Sequence, residues 1–118
     1  MNSISLNLAR PFLGKMVEVT FDRPLGSKHP KWDMVYEVNY GFIAGIKAPD
    51  GEDLDAYYLG VSEPLQKATG RCIAVVHRED DDDDKLIVVP DGVSMTDEEI
   101  SATINFQEKW YKSSIVRS

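Results

Sequence analysis

The sequence predicts a mainly β protein of α+β class, a small OB-like five-stranded β-barrel followed by a C-terminal amphipathic helix. Three observations predict it. About five short segments alternate or run apolar at strand length, and only the last third of the chain carries a long 3.6-residue period. No internal repeat and no Pro/Gly/Ser-rich linker interrupts the order, so residues 1–118 read as a single domain. With 42% hydrophobic residues, a chain of this length can bury one core.

In order, Val17, Val19 and Phe21 alternate with Glu18, Thr20 and Asp22, as in a half-buried strand. Arg23-Pro24-Leu25-Gly26-Ser27 supplies turn chemistry after it. Val35 to Ile46 is rich in aromatic and β-branched residues, and Gly41 and Gly45 break it into a bent strand pair. Leu54–Val61, Arg71–His77 and Leu86–Val89 are three further strands, the last two apolar enough to be buried on both faces. Thr96 with Glu99 makes a capping box, and Asp97 and Glu98 suit the positive end of the helix dipole. From there Ile100, Thr103, Ile104, Gln107, Trp110 and Tyr111 fall on one helical face.

The net charge of -7 repels nucleic acid phosphates, so a nucleic-acid partner is not expected. No run approaches the roughly 20 apolar residues of a membrane span. Met1 to Pro11 lacks a basic stretch followed by an apolar run, so no signal peptide and no membrane partner are expected. Cys72 is the single cysteine, set in an apolar run, and reads as a buried thiol in a cytoplasmic protein.

Two acidic clusters stand out. In Asp50-Gly51-Glu52-Asp53-Leu54-Asp55 the glycine permits a tight turn, and Asp53 and Asp55 share one strand face. Oxygen ligands at such spacing suit a hard divalent cation, although an acidic turn before a strand is equally a solvated surface feature. The run Glu79 to Asp84 reads as a hairpin loop mostly in water, with one or two members at its base turned toward the barrel mouth. If the next strand begins there, Asp83 and Lys85 share a face, as either an ion pair or a metal–phosphate pair. Arg23, Lys28, His29, Lys31, Tyr36, Asn39, Tyr40, Tyr111 and Lys112 are candidate anion contacts, since their N–H and O–H groups donate to phosphate oxygens.

Four motifs follow one another: Tyr36-x-x-Asn39-Tyr40-Gly41-x-Ile43, Asp50-Gly51-x-x-x-Asp55, Asp83-x-Lys85-Leu86 and Tyr111-Lys112. In this order they resemble the soluble (family I) inorganic pyrophosphatases, over most of the chain from Val17 onward. The resemblance implies an OB-like barrel whose mouth binds several Mg2+ ions, with Mn2+ as the alternative, around pyrophosphate. By position it implies metal ligands at Asp50, Asp55, Asp80 and Asp83, and phosphate contacts at Tyr40, Lys85, Tyr111 and Lys112. Glu52 falls where the family places the general base that orients the attacking water, so Glu52, Asp55 and Lys85 form the implied catalytic group. Homo-oligomers are usual in the family.

This chain also departs from the family. The usual Asp-Gly-Asp-Pro-x-Asp has Glu52 for its second Asp and Asp53 for its Pro. The phosphate-binding hairpin after the first strand shrinks to Pro24–Met34, leaving Arg23, Lys28 or Lys31 to stand in for its arginine, and the acid of the first strand appears as Thr20. The expected function is Mg2+-dependent hydrolysis of pyrophosphate to two phosphates. The alternatives are hydrolysis of another phosphoanhydride or phosphoester, and a non-catalytic OB-like binding module.

Overall fold

A computed structural model describes residues 4–117, so the first three residues of the N-terminal stretch lie outside it. The order is α1 (Ile4–Ala9), a 3-10 turn (Arg10–Phe12), β1 (Met16–Arg23), β2 (Asn39–Lys47), β3 (Asp53–Tyr58), β4 (Lys67–Arg78), β5 (Lys85–Val89), α2 (Asp97–Glu108) and β6 (Ser113–Val116). Five strands close into a barrel in the order β1-β2-β3-β5-β4, with β1 pairing back onto β4, and β6 extends the sheet beyond β4. All pairings are antiparallel except β3 with β5. The expected barrel with a C-terminal helix is therefore present, together with α1, the 3-10 turn and β6, which local sequence pattern did not indicate.

Alternation along the strands separates two cores. Val17, Val19 and Phe21 of β1, Ile43 of β2, Leu54, Ala56 and Tyr58 of β3, Cys72 and Val75 of β4 and Leu86 and Val88 of β5 meet in one cluster, the barrel interior. The opposite face carries Tyr40, Tyr57, Ala74, Val76, Ile87 and Val89, covered by Ile100, Ile104 and Phe106 of α2 and by Tyr36 and Val38. Each fully buried isoleucine contributes about 1.5–3 kcal/mol of transfer free energy, enough to hold a three-turn helix on a sheet. β5 is buried along its whole length because it faces both cores.

A register shift in β4 between Cys72 and Ala74 decides what lies on the outer face. Cys72 points into the barrel, yet Ala74, two residues on, points out, because the extra residue reverses the alternation. Val76 and Arg78 consequently share the helix-covered face. Without the bulge, both would turn inward.

Gly41 has a different constraint. A Cβ there would lie 1.9 Å from the Thr20 carbonyl oxygen of β1, so the two backbones approach to a distance only glycine allows.

The capping box of α2 is formed as expected. Thr96 Oγ1 accepts the Glu99 N–H at 3.1 Å, and Glu99 Oε1 accepts the Thr96 N–H at 2.9 Å. The helix ends at Glu108, however, and Trp110 and Tyr111 lie beyond it, with Trp110 60% exposed. The chain leaves the helix there because Ser113–Val116 pairs with β4, so residues 109–112 must bring the chain back to that strand.

Candidate active site

The helix-covered face brings four neighbouring strands together at one end. Tyr40 on β2, Asp55 on β3, Lys85 on β5 and Arg78 on β4 follow the strand order of the sheet. Phe42 opposite Asp55, Ala56 beside Leu86 and Val76 opposite Lys85 set this register. Asp55 Oδ2 accepts the Tyr40 hydroxyl at 2.8 Å and the Lys85 ammonium at 3.0 Å. Lys85 Nζ is also 3.2 Å from Asp83 Oδ2. Lys85 itself is buried, whereas Asp55 and Asp83 keep about a third of their side-chain surface in contact with solvent (31% and 35%).

Burial alone would depress the Lys85 ammonium, but the carboxylates of Asp55 and Asp83 reverse that and hold its pKa above the usual lysine value. Burial, reinforced by the charge of Asp55, pushes the Tyr40 phenol well above its ordinary pKa and keeps it a donor. Its ring is fixed between Tyr36 at 5.4 Å and Tyr57 at 4.9 Å.

Arg78 forms the second centre of the cleft. Its Nε and Nη2 grip Glu108 at 3.0 and 2.7 Å, and Nη1 reaches Asp83 at 3.3 Å. Tyr111 stacks on the guanidinium, 3.6 Å from carbon to ring centroid. Glu108 in turn accepts the Tyr57 hydroxyl at 2.6 Å, and Gln107 donates to that hydroxyl oxygen. Burial lowers the Arg78 pKa, but its bonds to Glu108 outweigh this and raise it, so the guanidinium stays charged.

The cleft has two lobes that share Asp55. One, about 350 Å³, is lined by Asp22, Phe42, Lys47, Asp50, Glu52, Asp53 and Asp55. The other, about 320 Å³, has Lys31, Arg78 and Lys85 as its cations, with Tyr36, Tyr40 and Tyr111 supplying hydroxyls. In the acidic lobe Asp53 is paired with Lys47 at 2.8 Å, and Asp50 accepts the Glu52 N–H. Partial burial raises the Asp22 pKa, and the charge of Asp55 raises it further, against the pull of its own backbone and Arg23.

Of the residues singled out in the sequence, Asp50, Glu52 and Asp55 line the acidic lobe, and Tyr40, Lys31, Asp83, Lys85 and Tyr111 line the basic one. Lys28, Lys112 and Asp80 are exposed and line neither lobe. Lys28 bridges to Val35, and the Lys112 N–H donates to Asp80 Oδ2 at 3.2 Å. Asn39 is not free to bind an anion. It is fully buried, its Oδ1 accepts the Leu25 and Leu65 N–H groups, and its Nδ2 donates to Glu63. Most of the acidic run is exposed, and its buried member is Asp84. Asp84 is 1% exposed, accepts the Arg78 N–H and sits 2.8 Å from His77 Nδ1, while Asp82 accepts from Ser5 of α1.

Arg78, Glu108, Tyr57 and Asp22 were not expected in the site. Glu108 did leave a trace in the sequence, because it continues the Ile100–Ile104 stripe by four residues and so falls on the buried face. Arg78 left none, since its orientation depends on the β4 bulge.

A family model described as inorganic pyrophosphatase matches residues 16–114. The chain belongs to the inorganic pyrophosphatase family. This makes it a hydrolase of the diphosphatase type, and the family supports hydrolysis of inorganic pyrophosphate. The fold is similar to that of the inorganic pyrophosphatase from Ehrlichia chaffeensis, with a TM-score of 0.68 and 18% identity over 89% of this chain and 87% of that one. The enzyme from Coxiella burnetii gives 0.61 and 18% over 85% and 83%. That from Neisseria gonorrhoeae gives 0.59 and 21% over 79% and 72%. At these identities the likeness is one of fold. No curated protein matches the chain in sequence.

The pyrophosphatase family is generally divalent-metal dependent. The acidic lobe fits such an ion in donor chemistry, because its polar lining is carboxylate oxygen with Lys47 already engaged by Asp53. As placed, no three His, Cys, Asp or Glu side chains among the described residues converge closely enough to hold one. The basic lobe fits less well, since Asp83 lies within 3.3 Å of both Arg78 and Lys85. Among the described residues no helix is long and apolar enough to cross a membrane.

Proposed function

We propose that residues 1–118 act as one Mg2+-dependent unit that hydrolyses inorganic pyrophosphate to two phosphates in the two-lobed cleft, with Mn2+ as an alternative ion. The observation that carries this reading is Asp55, whose carboxylate is the common wall of a carboxylate lobe and a lobe of fixed cations. A phosphoanhydride needs both, one side to recruit the metal and the other to hold anionic oxygens.

In this reading Asp50 and Asp55, with Asp22 beside them, hold the ion. When bound, the ion lowers the pKa of a water molecule and neutralises phosphate charge. Glu52, on the same lobe, orients that water and takes its proton. Lys85 and Lys31 donate to the phosphate oxygens, together with the Tyr40 and Tyr111 hydroxyls. Asp55 fixes Lys85, whose remaining N–H stays available to the phosphate before substrate arrives, while the single Tyr40 O–H turns from Asp55 to the phosphate when substrate enters. The assembled form is taken as a homo-oligomer in the cytoplasm, with pyrophosphate as its small-molecule partner.

One observation favours a variant reading in which the chemistry stays and the substrate is larger. His29 and Trp32 stack at 5.2 Å with rings tilted by 26° on the rim of the basic lobe, where they could hold a planar group attached to a diphosphate. A panel of phosphoanhydrides assayed for free phosphate with Mg2+ separates the two. Pyrophosphate as best substrate supports the first reading, and a nucleoside diphosphate or other aromatic diphosphate as best substrate supports the second.

A further inference from the structure

Asp83 differs from the carboxylates of the acidic lobe in one respect, which is that two buried cations flank a single one of its oxygens. Asp83 Oδ2 has the Lys85 ammonium at 3.2 Å on one side and the Arg78 guanidinium at 3.3 Å on the other. Both cations are buried, at 2% and 4% exposure, so neither is free to swing into water and vacate the carboxylate. Arg78 is held further by its two bonds to Glu108 and by the Tyr111 ring on its face. Asp81 lies 3.8 Å from the same guanidinium. A divalent ion placed at Asp83 would sit within a few ångströms of two fixed positive charges, and in a partly buried cleft that repulsion is weakly screened.

We propose that Arg78 is a fixed counter-cation that closes the basic lobe to divalent metal, so that metal binding is confined to the acidic lobe and Asp83 is an ion-pair partner. The inference rests on the metal-dependent reading above but concerns where ions bind, which can be measured without turnover. It assigns Arg78 a positioning role. With Lys85, it supplies on this side the positive charge that a second metal site would supply, and through Asp83 it holds Lys85 toward the phosphate.

Mn2+ binding to the intact chain, followed by calorimetry and by the spin-resonance signal of free Mn2+, tests this. Wild type and Asp83→Asn should bind the same number of ions per chain, and Asp55→Asn should lose at least one. Arg78→Gln, which leaves Asp81, Asp83 and Glu108 without the guanidinium, should gain an ion. Circular dichroism establishes that each variant is folded, and if Arg78→Gln fails to fold, Asp83→Asn decides alone. Loss of an ion from folded Asp83→Asn, or no gain in folded Arg78→Gln, overturns the inference and leaves the proposed hydrolysis standing. Absence of any Mn2+ binding by wild type overturns the metal-dependent reading and the inference with it.

Discussion

Lys85 and Asp55 lie thirty residues apart, on parallel neighbouring strands, and meet at 3.0 Å in the centre of the cleft. The lysine is buried and the aspartate is part-exposed, so the two ends of the pair respond differently to mutation. In Lys85→Met, Asp55 and Asp83 can still be solvated, and the cost in stability is about 1–2 kcal/mol. Under the proposed reaction, phosphate release from pyrophosphate should fall on the order of 100-fold or more, because a fixed donor to the transferring group would be lost. Steady-state kinetics beside a urea melt checks both parts. A variant with near-normal turnover would remove Lys85 from the reaction.

Glu108 is the opposite case. Its carboxylate is 5% exposed and shared by Arg78 and Tyr57, so Glu108→Gln leaves a buried guanidinium poorly compensated. A loss of about 3–5 kcal/mol is expected, and chemical denaturation measures it. A shift below 1 kcal/mol would mean that this network does not hold α2 to β4.

Gly41→Ala should be among the most damaging single substitutions outside the cleft. The added methyl would overlap the Thr20 carbonyl, and backbone cannot retreat as a flexible side chain can. The expected loss is about 3 kcal/mol or more, read as a fall in thermal midpoint or as insoluble expression. Normal stability in this variant would show that β1 and β2 can separate without cost.

Cys72 has its thiol pKa raised from 9.0 to about 11, mainly by burial. A thiol whose folded pKa lies above its unfolded value adds stability that is complete below the unfolded value and is lost as pH rises through the folded one. Stability of the wild type should therefore fall between about pH 9 and 11, and Cys72→Ala should flatten that part of the profile. Iodoacetamide at pH 8 should label the native thiol far more slowly than the urea-unfolded one. Equal labelling rates would contradict its burial.

Much of this molecule could be read from residue order, and the parts that could not share a cause. The five barrel strands and the Thr96 capping box follow from local alternation and local hydrogen bonding, both written in adjacent residues. The Asn39-Tyr40-Gly41 motif could be located but not apportioned. The structure uses Asn39 to tie two loops, Gly41 to let β1 approach, and only Tyr40 in the cleft. The position of Arg78 depends on a bulge in β4, and β6 exists only because β4 offers a free edge. Those are properties of register between distant segments, as is the burial of Asp84 beneath α1. Trp110 and Tyr111 fitted the helical period, but pairing of Ser113–Val116 with β4 outweighed it.

In the proposed reaction Asp55 joins a metal-binding lobe to a phosphate-binding lobe. Free phosphate released from pyrophosphate, measured with and without Mg2+ on wild type and Asp55→Asn side by side, checks that role. Mg2+-dependent release by wild type is expected, abolished by chelation and reduced on the order of 100-fold or more in a folded Asp55→Asn. Folded wild type that releases no phosphate above background with Mg2+, or an Asp55→Asn variant that is fully active, would contradict it.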